Sequence, residues 1–373
     1  MAESVLTARD LNRAFLARQM LLESADLAPL DAIRRLVAVQ GQAPRAPFLG
    51  LWARLKAFDP DDLRRLIAER QVIRATLMRA TLHLMAADDF LALRPALRGN
   101  MLTRPAGGGE PGLYLPGGLR VTMAELGPIL DLARAHFVEP RPFESLREAV
   151  EAAGHGDVRV MAYAARILLP LLQAPDGAEF GYKPGGDFVL AKAWLGRDVA
   201  AKPDPAELVR RYLAAHGPAT PGDFATWSGE KAAAPLFEAL GDELVRFRDE
   251  RKRILFDLKD APRPDAEAPA PPRLLPDFDG VLLGHQDRAR IVAPENLAKA
   301  ITSKNLLVPP VVLLDGFVAG TWRLEIKKKT AQAAITAFGP LKRQDKSALQ
   351  AEAQSLLATF APQAKPEVTF AEA

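Results

Sequence analysis

Apolar residues recur at helical spacing through most of the N-terminal seventy residues and then begin to alternate with polar ones. The helical periodicity predicts helices over 7–22, 29–39, 48–58 and 60–70. From 72 to 86 the period changes to two, which predicts a β-hairpin. Helices followed by a small hairpin are typical of a winged-helix unit, so we expect one in this part of the chain.

The order of helices followed by strands recurs twice. Periodicity predicts helices over 123–138, 143–154 and 158–172, followed by strand-like segments around Phe180 and Phe188. These elements predict a second winged-helix unit.

The third recurrence has the clearest helix-turn-helix pattern of the chain. A helix around Leu208, a turn at Gly217-Pro218 and a helix opened by Pro221 follow one another closely. The matching strands are expected between Leu244 and Leu258.

The C-terminal part has a β-rich composition. Short runs of Val, Leu, Ile and Phe are separated by Asp-Gly and Ala-Gly pairs, as in the hairpins of a small sheet or barrel. We expect a final helix over 346–360 to close the chain. Segments 104–118 and 261–272 are rich in Gly or Pro and are predicted linkers.

These patterns predict an α+β protein, mainly helical, with tandem winged-helix motifs and a C-terminal small β-barrel. The expected divisions are winged-helix units at 1–103, 119–202 and 203–260, with the barrel and final helix at 273–373.

Composition excludes several kinds of site. The 373 residues include no cysteine, which excludes disulfides, thiolate zinc sites and cysteine nucleophiles. The five histidines lack the close spacing of metal ligands, so we expect no metal and no cofactor. The sequence shows neither a spanning apolar segment nor a signal peptide, and we expect a cytoplasmic, nucleoid-associated protein with no membrane partner. A net charge of +3 permits nucleic-acid binding without establishing it.

The residues Gln40-Gly41-Gln42 place two amides two positions apart at the end of a predicted helix. The sequence has no P-loop, no Gly-x-Ser-x-Gly elbow, no His-Glu-x-x-His pair and no dinucleotide fingerprint. On its own, the glutamine pair is also explained by two surface amides that cap local backbone.

Several segments, in the same order, resemble the AlkZ-like, or YcaQ-like, DNA glycosylases. The resemblance spans roughly Leu11 to Trp322 and is carried by LVAVQGQAPRAPFLGLWARL, RATLHLM, HGPATPGDFATWSG, LLPDFDGVLLGHQDR and VVLLDGFVAGTW. It implies tandem winged-helix motifs and a C-terminal barrel around a concave DNA channel. It also implies a catalytic Gln-Φ-Gln motif, where Φ is apolar. Gln40 and Gln42 match its ends, whereas Gly41 departs from Φ.

The resemblance implies a monofunctional DNA glycosylase that acts on double-stranded DNA carrying cationic N7-alkylpurines, including bulky or interstrand-crosslink adducts. A cationic purine leaves as a neutral base, so amides that orient water are sufficient catalysts. We expect both glutamine side chains to face an open channel and the protein to be a monomer. The alternative is a non-catalytic winged-helix DNA-binding regulator that uses residues 218–229 as its reading helix.

Further candidates have ordinary structural explanations beside the functional ones. His83 is either a polar neighbour of the glutamines or a histidine satisfied within a half-buried sheet. The candidate DNA-binding residues are Arg45, Lys304, Arg323, Lys327, Lys328 and Lys329. A triple lysine also forms an ordinary solvated surface.

Overall fold

The computed structural model describes residues 4–99, 112–114, 120–154, 158–301 and 308–372. This part of the chain forms an α+β structure with fifteen α-helices and four β-sheets. None of its helices has the length and apolar character needed to cross a membrane.

The N-terminal elements include a first unit, residues 29–86. The chain forms β1 (Val5–Leu6), α1 (Ala8–Arg18), α2 (Pro29–Arg35), β2 (Val39–Gln40), α3 (Ala46–Trp52), α4 (Pro60–Ala68), β3 (Val72–Thr76), β4 (Leu82–Ala86) and α5 (Ala87–Gly99). Thr7 starts α1 through a capping box with Asp10, and Asp59 caps α4 ahead of Pro60.

A second unit, residues 123–190, follows a small two-stranded sheet. The elements are β5 (Gly112–Tyr114), β6 (Arg120–Thr122), α6 (Met123–His136), β7 (Arg141–Pro142), α7 (Phe143–Ala152), α8 (Val158–Leu168), β8 (Leu171–Gln173), β9 (Asp187–Leu190) and α9 (Ala191–Leu195).

A third unit, residues 205–258, has the same succession of elements. It contains α10 (Pro205–His216), α11 (Pro221–Ser228), α12 (Ala233–Glu238), β10 (Leu244–Asp249) and β11 (Ile254–Leu258). Ala219 forms an isolated bridge with Phe256 and so takes the place of a short first strand. The N-terminal β1 adds to this sheet in parallel beside β10.

The C-terminal strands form an open five-stranded sheet. Its elements are β12 (Arg273–Leu275), α13 (Gly280–Leu283), α14 (Leu297–Ala300), β13 (Val311–Leu314), β14 (Phe317–Ile326), β15 (Thr330–Ala337), α15 (Arg343–Phe360) and β16 (Lys365–Glu372). The strand order is β12-β13-β14-β15-β16, without pairing between the two edge strands in the described residues. The expected barrel is therefore not closed, and α15 packs against β12, β15 and β16.

The first and second units share one six-stranded sheet. Its order is β2-β4-β3-β8-β9-β7, so each unit contributes a short edge strand, then its last strand, then its middle strand. The central junction is the antiparallel pair β3–β8. The Arg74 guanidinium reinforces this junction, since Nη1 donates to Oε1 of Gln173 at 2.5 Å and Nε donates to the carbonyl of Gly41 at 2.9 Å.

The two ends of the chain share a hydrophobic core. Phe15 and Leu16 of α1 pack with residues of the C-terminal sheet and α15. The proline-rich segment 261–272 runs along the same helix, because Nε of Arg13 donates to the carbonyl of Ala268 at 2.7 Å. Arg18 and Asp257, both fully buried, form a bidentate ion pair that joins α1 to the third unit.

Most predicted helices, the first hairpin and the strand around Phe188 are confirmed. A strand around Phe180 is wrong, because its partner position is taken by β8, which directly follows Pro170. The final helix does not close the chain, since β16 follows it. The predicted linker 104–118 lies mostly outside the described residues. The four expected domain divisions stay predictions.

Candidate active site

The strand β2 places Gln40 opposite His83. These residues are cross-strand partners in the antiparallel pair β2–β4, so their side chains lie on the same face of the sheet. Both are buried, with 7% of Gln40 and 2% of His83 exposed. The fold thus makes His83 a neighbour of Gln40, as the first of its two interpretations expects.

The two glutamine side chains differ in their surroundings. The backbone N–H of Gln42 donates to Oε1 of Gln40 at 2.9 Å, and Nε2 of Gln40 donates to the hydroxyl of Thr81 at 3.2 Å. Gln42 is exposed, and its Oε1 accepts from the N–H of Leu82 at 3.2 Å. An open position for both amides was expected; Gln40 is buried because it still belongs to the strand, whereas Gln42 follows its end. Each amide retains hydrogen-bonding capacity beyond these contacts.

The backbone of Gly41 is held by Arg74, whose Nε and Nη2 both donate to the Gly41 carbonyl. A Cβ at this position would lie 3.0 Å from Cδ1 of Leu84, the end of a flexible side chain. The glycine is therefore in a close approach to β4, which a small movement of Leu84 would relieve.

Gln40 and His83 line a narrow cavity between three parts of the chain. Its water-accessible volume is about 30 Å³, enough for a water molecule. The lining includes Gln19 and Arg54 near the N-terminus, Trp227 of α11, and the segment from Pro276 to Gly280. Segments that are distant in sequence thus converge on the buried glutamine.

His83 is neutral in this cavity. Burial, assisted by the positive charge of Arg79, lowers the pKa of His83 to about 3. Its Nδ1 lies 3.0 Å from the Thr81 carbonyl, which can only accept, so we assign the ring proton to Nδ1. The remaining ring nitrogen, Nε2, is then a hydrogen-bond acceptor, suited to orienting a water or a hydroxyl.

Arg79 is a cavity residue that sequence reasoning missed. It lies in the turn between β3 and β4 with a positive φ of 54°. Its Nη1 donates to the Trp227 carbonyl at 2.6 Å, and no carboxylate forms an ion pair with it in the described residues. Burial lowers the pKa of Arg79 to about 10, and the side chain still carries a positive charge at neutral pH. Arg79 is half-buried, and a cation without an acidic partner in the described residues suits an anionic group such as phosphate.

Two aspartates of the Pro276–Gly280 segment also line the cavity. Asp279 accepts from both Nη1 and Nη2 of Arg54, at 2.9 and 2.8 Å, and also caps α13. Asp277 has a looser partner, since its Oδ2 lies 3.5 Å from Nη2 of Arg45. Phe278 between them has a positive φ of 57°.

The candidate DNA-binding residues do not gather at the cavity. Arg45 pairs with Asp277 at its rim. Arg323 is exposed on β14, and the three lysines occupy the exposed turn between β14 and β15, where Nζ of Lys327 pairs with Glu325 at 2.9 Å. Lys304 lies outside the described residues. The described chain contains no group of three His, Asp or Glu side chains able to hold a metal ion.

Comparison with known proteins gives the family. The family model described as DNA glycosylase AlkZ-like matches residues 33–359. The chain belongs to the AlkZ-like DNA glycosylase family. It is 26% identical over 360 residues to the interstrand DNA cross-link repair glycosylase of Streptomyces sahachiroi, with 90% of this chain and 92% of that protein covered.

A solved structure, the Streptomyces sahachiroi DNA glycosylase AlkZ, has a similar fold. The TM-score is 0.75 at 22% identity, and the superposition covers 98% of this chain and all of that chain. The matched family region contains Gln40, His83, Arg79 and Asp277, whereas Gln19, which also lines the cavity, lies before it.

Proposed function

We propose that this AlkZ-like protein is a monofunctional DNA glycosylase that hydrolyses the N-glycosidic bond of cationic N7-alkylpurines in double-stranded DNA. The observation that carries the proposal is the meeting of Gln40 and His83 at one narrow cavity large enough for a water molecule. The relative from Streptomyces sahachiroi is named for interstrand cross-link repair, which supports extending the substrate to bulky and crosslinked adducts.

The two glutamines are suited to positioning water and substrate. Alkylation at N7 gives the purine a positive charge, so cleavage of the bond to the sugar releases a neutral base and leaves positive charge on the sugar. Gln40 and Nε2 of His83 offer acceptors at the cavity, whereas Gln42 is exposed and is not among the residues that line it. Positioning of this kind accounts for large rate effects when the leaving group is already activated.

Arg79 provides the complementary contact. A cation in the cavity would repel the alkylated base, whereas it would attract the phosphate of the same nucleotide. Its place in the β3–β4 turn puts that contact on the same hairpin as His83. The proposed complex therefore has its phosphate at Arg79 and its sugar toward Gln40.

The three units are proposed to be winged-helix motifs that bind DNA as a monomer. Each has helices followed by two antiparallel strands, with a short strand or bridge added to the last strand. Phosphate contacts, including those proposed for Arg323 and the lysines at 327–329, should make affinity fall steeply with salt. Changing the three lysines to glutamine should reduce the steepness of a plot of log affinity against log salt concentration by up to about 3. The single-turnover rate at saturating protein should stay the same.

Excision from a defined substrate tests the activity. Purified protein is incubated with a duplex that contains one N7-methylguanine, and abasic sites are revealed by alkaline cleavage. We expect cleavage at the modified position, with no added metal, and none in the unmodified duplex. Tight DNA binding without abasic sites would instead support the non-catalytic regulator.

A further inference from the structure

Asp277 and Asp279 are two residues apart and line the same cavity, but their partners differ. Asp279 is saturated by the two terminal nitrogens of Arg54 and by the N–H of Val281. Oδ2 of Asp277 is buried and receives no hydrogen bond from the described residues. Its one charged neighbour, Nη2 of Arg45, lies 3.5 Å away, beyond good hydrogen-bond length.

A buried carboxylate oxygen without a donor is unusual, and here it belongs to a side chain of which 24% is exposed. Arg79 lines the same cavity, and its Nη1 donates to the Trp227 carbonyl. The positive φ of Phe278 holds the segment in a conformation that non-glycine residues rarely adopt. Asp277 and Arg79 thus line one cavity, and each has a different partner.

We propose that Asp277 is a further catalytic residue, whose carboxylate faces the sugar of the lesion nucleotide and takes the proton of the attacking water. This inference rests on the proposed glycosylase function and supplies what the two neutral glutamines lack. The water oxygen bonds to C1′ while the C1′–N9 bond breaks, and its electron pair neutralises the cationic purine. The water proton passes to Asp277 and from there to solvent.

The proposal predicts different effects for the same substitution at Asp277 and at Asp279. Asp277→Asn keeps the shape of the side chain and removes its charge, so we expect single-turnover excision of N7-methylguanine to fall about 100-fold. Affinity for the unmodified duplex and the melting temperature should stay close to wild type. Asp279→Asn breaks a buried ion pair and should lower the melting temperature by about 10 °C.

A double-mutant cycle distinguishes chemistry from the support of Arg45. In the Arg45→Gln background, Asp277→Asn should again slow excision about 100-fold. If Asp277 only holds Arg45 in place, the second substitution will add nothing, and the proposal is wrong. Asp277→Glu, which retains the charge one methylene further out, should lose about tenfold.

Different results would overturn the proposed glycosylase function and the proposed role of Asp277. A wild-type protein that leaves N7-methylguanine intact overturns the glycosylase function and this inference with it. A wild type that excises the base, with Asp277→Asn within threefold of its rate, overturns the role of Asp277 alone. Should Asp277→Asn fail to fold, the same measurements on Asp277→Ser apply the same criterion.

Discussion

The first and second units contribute matching halves of one sheet, but their edge strands carry different chemistry. In the first unit, β2 places Gln40 opposite His83, and both buried residues line the narrow cavity. In the second unit, β7 places Arg141 opposite Phe188, and both residues of this strand are exposed. Phe188 packs edge-on against Phe143 at 5.6 Å between ring centroids.

The difference shows that the order of elements does not create the site. Both units have a short edge strand added to the last strand, yet the second unit uses its face for an apolar core. The first unit gains its cavity because Trp227 of the third unit and the Pro276–Gly280 segment close over that edge. Function follows from which residues occupy the edge strand and from what covers them.

The largest expected effect comes from removing the amides of the first unit. Gln42→Ala and Gln40→Ala should each slow single-turnover excision by about one to three orders of magnitude, the scale expected for the loss of a positioning group. The double variant should lose less than the product of the two, since both amides serve one water. Gln71→Ala removes an exposed amide of the same unit and is the matched control. A double variant that excises the base at the wild-type rate would show that Gln40 and Gln42 do not contribute to the reaction.

Lowering the pH should also affect the histidines of the first and second units differently. Burial holds the pKa of His83 far below that of an unfolded histidine, whereas His136 of the second unit is partly exposed and bonded to the Ser145 hydroxyl. As the pH falls, His83 therefore binds a proton in the unfolded chain while it stays neutral in the folded chain. The stability that His83 contributes is complete above about pH 6.5 and is lost as pH falls toward 3, at about 1.4 kcal/mol per pH unit.

Urea unfolding at pH 7.5 and at pH 5.5 measures this contribution. His83→Gln should reduce the acid loss by about 1.4 kcal/mol over that interval, and His136→Gln should change it much less. Equal changes in the two variants would mean that the burial of His83 is not maintained in solution. Buried His216 and His285, whose pKa values burial also lowers, should add to the acid loss of the wild type.

The smallest effect is expected at two glycines beside the shared sheet. Gly41→Ala requires only a small movement of Leu84, so unfolding free energy should change by less than about 1 kcal/mol. Gly186→Ala in the second unit would drive a Cβ into Nε2 of Gln173, whose Oε1 binds Arg74, and should cost about 1–3 kcal/mol. Chemical denaturation of both variants compares them. A larger loss of unfolding free energy for Gly41→Ala would show that Leu84 of β4 cannot move aside.

Periodicity predicted the helices well because each is a local pattern of core positions. It failed at β8, where Leu171–Gln173 continues an apolar run that is indistinguishable from the preceding helix. The short helices α9 and α12 and the longer α5, which includes Pro95, were also missed. Pairings such as β3–β8 and β15–β16 join distant segments and leave no local signal.

The candidate site was predictable only in part. The glutamine pair was found through family resemblance, and His83 through its hairpin. Arg79 and Asp277 were missed because nothing in their local sequence marks a charge that lines a cavity without a strong partner. The β3–β4 turn and the segment Pro276–Gly280 become part of a candidate site only because the fold brings both to one cavity.

The packing of α1 on the C-terminal sheet sets the order of events during biosynthesis. Phe15 and Leu16 leave the ribosome well before the C-terminal strands that bury them. At about 5–20 residues per second, this separation corresponds to tens of seconds in which the N-terminal helix lacks its partner. The cavity is likewise open on one side until residues 276–280 have been translated. A nascent or prematurely terminated chain therefore lacks residues that complete the candidate cavity.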